Sequence, residues 1–167
     1  TGNQCHGYVL PLWFPFFGTG TSKTDAYAVR STLCQHFTAC WDQRDETIGW
    51  TSIKSLVDQW KGVAPNYYGD YYPLTPYSLD NKDWLAWQFH RPEANSGMVQ
   101  VFRRPESIYS AAQLPLFGLE PGRTYRVNNV DEPEASGEYS GEFLMRGGLP
   151  VTVAERPGAQ IYQYEGK

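Results

Sequence analysis

WLAWQFHRPEANSGMVQVFRR, residues 84–104, sets two apolar, aromatic-rich runs on either side of a turn cluster of Pro, Asn, Ser and Gly. The runs are Trp84–Phe89 and Met98–Phe102. In an extended chain Leu85, Trp87 and Phe89 point to one side while Gln88 and His90 point to the other. On the return run Val99 and Val101 alternate with Met98, Gln100 and Phe102. Period-two spacing of β-branched and aromatic residues around a Gly-containing loop predicts a β-hairpin. Bulk on both faces places that hairpin at the centre of a two-layer sandwich rather than in a solvated ribbon.

Outward from the hairpin, the C-terminal half reads as all β. Runs at about Gln113–Leu119, Thr124–Asn128, Glu138–Leu144, Pro150–Ala154 and Gln160–Tyr164 are separated by turn-forming clusters at 120–122, 131–137, 147–148 and 156–158. With the hairpin they make seven short strands, the pattern of an antiparallel sandwich.

The N-terminal third has a different rhythm. Val9–Phe17 is a fully apolar run that predicts a strand buried on both faces. A helix-like piece covers about Thr24–Leu33, with Asp25 near its start. Phe37, Ala39 and Trp41 alternate in a second strand ending at Asp42. Thr51–Lys61 is helical, with Ile53, Leu56, Val57 and Trp60 forming one apolar stripe, Thr51 or Ser52 as cap, and Gly62 with Pro65 as the stop. Strand, helix, strand, helix is the order of β/α units in a parallel sheet. Between the halves, residues 66–81 are rich in tyrosine and proline and follow neither period. The fold class is therefore α+β, mostly β: residues 1–66 a partial β/α segment, 67–81 a connector, and 82–167 an antiparallel β-sandwich.

Composition narrows the function classes. The 167 residues carry a net charge of −4, with Lys and Arg scattered, which leaves no electrostatic footprint for nucleic acid or an anionic membrane. Val9–Phe17 is too short, and too interrupted by proline, to cross a bilayer. No signal-peptide pattern is present and the first residue is not Met, which reads as a processed chain or a fragment.

QCHGYVLPLWFPFFGTG at 4–20, DAYAVRS at 25–31, YYGDYYPLTPYS at 67–78, WLAWQFHRPEANSGMVQVFRR at 84–104, and GLEPGRTYRV followed by SGEFLMRGGLPV resemble, in family order, the C-terminal end of family 36 glycoside hydrolases of the α-galactosidase (melibiase-like) type. The resemblance implies a (β/α)₈ catalytic barrel followed by a β-sandwich, with residues 1–66 as the last two β/α units. It also implies two catalytic aspartates on middle barrel strands, upstream of Thr1. Retaining chemistry needs two carboxyls about 5 Å apart, and no motif here matches the family's catalytic strings, so no residue is assigned a catalytic role.

Barrel sites lie at the C-terminal ends of the strands. That rule, carried through the resemblance, selects Trp13, Arg30, Trp41 and Asp42: the tryptophans to stack on sugar rings, Arg30 and Asp42 to bind hydroxyls. The competing reading makes the tryptophans packing residues and Arg30–Asp42 an internal ion pair. Tyr67, Tyr68, Tyr71, Tyr72 and Tyr77, with Asp70 among them, fit a sugar-stacking platform or a wedge between domains, and the wedge is favoured. Cys34, His36 and Cys40, with Cys5 and His6, lack the paired short-spaced ligands of structural zinc and read as buried thiols. Glu93, Glu106 and Asp131 read as solvated loop carboxylates rather than a calcium site. Ser22, Ser31 and Ser52 lack the context of a hydrolase nucleophile. No cofactor or metal is expected. The expected partners are a carbohydrate (a galactoside or plant polysaccharide) and an upstream barrel domain or a second copy. The functions in competition are the tail of a carbohydrate-active enzyme, a stand-alone carbohydrate-binding module, and an autonomous glycosidase with an unrelated site.

Overall fold

The computed structural model describes residues 1–132 and 136–167. Helix α1 spans Gly2–Val9 and runs into a short 3₁₀ turn, Leu10–Leu12. Strand β1 (Gly18–Thr21), helix α2 (Ala26–Arg30), strand β2 (His36–Ala39) and helix α3 (Trp50–Val63) follow. β1 and β2 pair in parallel, from Gly18 opposite His36 to Thr21 opposite Ala39. This is one β/α/β unit, as predicted, but its first strand lies downstream of the predicted one. Val9–Phe17 is not a strand. Pro11 suits the first turn of a 3₁₀ helix, and Pro11 and Pro15 would each remove a ladder donor from a strand. The buried-strand reading is also overturned, because Leu12, Trp13, Phe14 and Phe16 are exposed.

Asp25 caps α2 by accepting a hydrogen bond from the Ala28 amide at 2.8 Å. In α3 the predicted stripe holds: Ile53 and Leu56 are buried, and Val57 and Trp60 half-buried. The helix starts one residue earlier than the sequence predicts, with Gly49 at the cap position and no side-chain capping bond, and Gly62 lies inside its last turn.

The C-terminal half is built on a six-stranded antiparallel sheet of order β3-β4-β5-β10-β7-β8. Its strands are β3 (Asp70–Pro73), β4 (Trp84–Arg91), β5 (Ser96–Arg103), β7 (Thr124–Asn129), β8 (Gly137–Ser140) and β10 (Gly158–Gly166). A two-stranded sheet, β6 (Ala111–Leu114) with β9 (Leu149–Thr152), covers one face together with α4 (Gly141–Arg146). The 84–104 hairpin is β4–β5, turning through a 3₁₀ segment at Pro92–Ala94 and a left-handed Asn95 (φ 46°). Gly97 is required just beyond it: a Cβ there would meet the Phe89 carbonyl at 2.3 Å.

Three predicted elements change. The connector contributes β3, which pairs with β4 as an edge strand. The strand predicted at Glu138–Leu144 stops at Ser140, whose Oγ accepts from the Phe143 amide at 3.1 Å and starts α4. The strand predicted at Gln113–Leu119 ends at Leu114, ahead of Pro115. The turn predicted at 131–137 lies partly outside the described residues.

The two faces of the large sheet bury different sets. Ala86, Val99, Val101, Val127 and Tyr164 meet Leu114, Leu116, Leu144, Leu149 and Val151. Leu85, Trp87, Phe89, Met98, Phe102 and Ile161 meet Tyr8, Val29, Leu33, Leu56, Val63 and Tyr67 from the N-terminal segment and connector. The register sets Leu85 opposite Phe102, Trp87 opposite Gln100 and Phe89 opposite Met98, so the alternation read in the sequence separates the faces. The large sheet is therefore the middle layer of the molecule.

Candidate functional site

The exit ends of β1 and β2 are the place where a parallel β/α unit presents its chemistry. There the Cys40 amide bonds the Thr21 carbonyl at 3.2 Å, carrying the pairing one residue beyond the strands. The Thr21 hydroxyl accepts from the Lys23 amide at 3.0 Å, and the Trp41 indole N–H donates to the Lys23 carbonyl at 2.9 Å. Trp41 is half-buried, with its ring against Phe37 at 5.8 Å. This lacing fixes Trp41 beside the exposed 42–47 loop. Asp42 pairs with Arg44 at 2.8 Å, and the hydrogen bonds from that guanidinium and its backbone amide hold the carboxyl below its ordinary range. Hydrogen bonds from the Thr47 hydroxyl and amide do the same for Asp45. Both are acceptors at neutral pH, and neither is suited to donate a proton. Beside the exit end of β1, a polar cleft of about 450 Å³ opens between Asn3, Thr21, Lys23 and Asp25.

Of the four residues selected from the sequence, the structure brings together Trp41 and Asp42. Trp13 is 76% exposed and lies in the segment feeding the entry end of β1. Arg30, only 5% exposed, points into the seam between the two halves. Its guanidinium forms a bidentate pair with Asp131 (Nη1–Oδ2 2.6 Å), and also donates to the Ala159 carbonyl at 2.6 Å and Gln59 Oε1 at 2.7 Å. The alternative Arg30–Asp42 pair is therefore absent: each has a different partner. No pattern along the chain announces an Arg30–Asp131 pairing across 101 residues.

A second arginine closes the same seam. Arg104, fully buried at the end of the hairpin, donates to Gln4 Oε1 (3.0 Å) and to the Ser78 and Asp80 carbonyls (2.7 and 2.9 Å). The tyrosines divide. Tyr67 is buried edge-on to Phe89, and Tyr71 packs on the same ring while its hydroxyl donates to the Tyr8 carbonyl at 2.7 Å. Tyr8 in turn donates to the Thr75 carbonyl. Burial raises the Tyr67 hydroxyl pKa well above the ordinary range. Tyr72 stacks on Phe117, while Tyr68 and Tyr77 are exposed. Tyr67 and Tyr71 thus form the wedge.

The remaining candidates are distributed through the molecule. Cys34 and Cys5 are buried, Cys40, His6 and His36 exposed, and no three metal-ligating side chains cluster among the described residues. Glu93 pairs with Arg91 at 3.1 Å. The Glu106 amide bonds the Asn81 carbonyl.

A parallel β/α/β unit tied through the buried Arg30 to an antiparallel β-sandwich defines the class: a β-sandwich domain with an α/β segment ahead of it. Residues 84–163 match the model of the glycosyl hydrolase family 36 C-terminal domain. Among solved structures, the chain is similar to the galactosidase domain of the α-galactosidase–sucrose kinase AgaSK (TM-score 0.63, 19% identity, 83% of this chain and 19% of that one). It is equally similar to a variant of the GH36 α-galactosidase AgaA from Geobacillus stearothermophilus in complex with raffinose (TM-score 0.63, 21% identity, 83% and 19%). AgaB from the same organism gives a TM-score of 0.58 at 22% identity, covering 83% and 18%. The chain thus spans about a fifth of the length of the α-galactosidases it matches. No curated protein matches it.

Proposed function

We propose that this chain is the C-terminal part of an α-galactosidase-like glycoside hydrolase, serving as buttress and one wall of the sugar site. The observation that supports the reading most directly is the seam. Arg30, at the end of α2, ties the β1–α2–β2 unit to Asp131 and the Ala159 carbonyl. Arg104 ties α1 and the connector to the end of the hairpin, and together the two hold the N-terminal segment against the sandwich. A fixed exit end is what sugar positioning requires, since misplacement by about 1 Å can cost about 100-fold in rate. Trp41 supplies a ring face there, and Lys23, Asp25 and Asp42 supply polar groups for hydroxyls. The reacting acids come from the upstream barrel. Asp42 and Asp45, held ionised by their neighbours, favour a binding role over acid catalysis.

The test is complementation. AgaA truncated of its matching C-terminal fifth, co-expressed with this chain, should regain hydrolysis of p-nitrophenyl α-galactoside, while this chain alone shows none. Turnover by the isolated chain, lost on changing either of two carboxylates, would establish the autonomous glycosidase instead.

A further inference from the structure

The C-terminal end of α3 and the turn of the β4–β5 hairpin enclose an open cleft of about 500 Å³ that shares no residue with the one at the exit end of β1. Trp60, Ala64, Pro65 and Tyr68 form its apolar lining, and Arg91, Glu93 and Lys61 its polar side. The volume lies in the range of small-ligand sites, and a mostly apolar lining with a few convergent polar groups is their usual chemistry.

Each part is held before any ligand arrives. The Trp60 indole N–H donates to the Cys34 carbonyl at 2.9 Å and its ring packs on Phe37, which fixes its plane. Tyr68 is 70% exposed, its ring tilted against Phe16 at 5.7 Å. Arg91 Nε donates to Glu93 Oε1 at 3.1 Å. A backbone hydrogen bond and the neighbouring Arg91 hold Glu93 below the ordinary carboxylate range, so the pair is charged at neutral pH.

Two aromatic faces beside a planar, charged donor–acceptor pair match a pyranose. Its C–H face stacks on a ring, while vicinal hydroxyls donate to a carboxylate and accept from a guanidinium. We propose that this cleft is a second saccharide-binding site, taking one ring of a glycan at the junction of α3 and the sandwich. The proposal rests on the carbohydrate-active reading of the chain, and its test needs no turnover.

The experiment is a ¹H–¹⁵N NMR titration of the full chain with raffinose, using sorbitol as an open-chain polyol control. Raffinose should shift the Trp60 indole and the Ala64, Arg91 and Glu93 amides saturably, with a dissociation constant of about 1 mM. Tyr68→Ala should weaken binding about tenfold or more, and Glu93→Gln several-fold. Both side chains are exposed, so each variant should keep the parent spectrum elsewhere. The proposal is overturned if these signals do not move, if sorbitol moves them equally, if Tyr68→Ala leaves the affinity unchanged, or if the shifts gather only around Lys23 and Trp41. Saturable binding here, together with failed complementation of truncated AgaA, would retain the cleft and remove the buttress reading. Complementation without shifts would do the reverse.

Discussion

β4–β5 and β1–β2 are both pairs of neighbouring strands, and they stand in opposite situations. In the hairpin, eight residues on each strand are in register, all interior positions are buried, and both strands have further neighbours in the sheet. In the parallel pair each strand has four residues, only Thr21 is buried, and the sheet has two strands among the described residues. An antiparallel hairpin closes through a local turn, and here both its faces are covered by the chain itself. Parallel strands need a crossover between them and cover on both faces. The hairpin is covered on both faces, whereas every position of the parallel pair except Thr21 is at least partly exposed.

Perturbations should follow this contrast. Trp87→Ala should have the largest effect: the ring is fully buried against Phe102 and Tyr8, and its N–H donates to Gln100 Oε1 at 2.8 Å. Its loss should cost about 3–5 kcal/mol in urea unfolding. Arg104→Met should cost about 3 kcal/mol, because the Ser78 and Asp80 carbonyls lose their donor and Gln4 its partner. Protease sensitivity should then appear first around α1, and a uniform loss would argue against a seam role. Asp42→Asn, at the exposed end of β2, should change stability by less than about 0.5 kcal/mol.

A subtler contrast is pH-dependent. His90, 1% exposed, lies 3.0 Å from the Tyr164 hydroxyl, and burial lowers its pKa below the ordinary 6.5. Because the unfolded chain binds the proton more readily, the stability His90 contributes is complete above pH 6.5 and is lost as pH falls through the depressed value. In His90→Gln the dependence of melting temperature on pH below 6.5 should flatten; an unchanged slope would assign it to carboxylates. Trp13→Ser with Phe16→Ser should likewise leave the melting temperature within about 2 °C. It should still lower binding of an apolar dye, since these side chains are solvent-exposed.

Where the sequence was legible, a single period governed the residues. Alternation in 84–104 placed each side chain on its face, and the 3.6-residue stripe of α3 held within two residues. Where it misled, apolar content was taken for burial. Val9–Phe17 has no period, and its prolines outweighed its apolarity. The helix at Gly141–Arg146 followed from one capping serine inside a run that looked extended. Of the proposed sugar contacts, adjacency in the chain kept Trp41 with Asp42. Arg30 and Trp13 depended on where distant segments lay, and nothing local encodes that.

By itself, the sequence determined a mostly β architecture, a central hairpin with two buried faces, and one β/α/β unit ahead of it, because periodicity and turn chemistry act over a few residues. Only the tertiary structure decided what covers the hairpin's second face, that Arg30 and Arg104 clamp the seam, and that Tyr68 and Trp60 share a cleft with Arg91 and Glu93. Those outcomes are meetings of residues far apart in the chain. A buried guanidinium takes whichever acceptors the packed layers bring within reach.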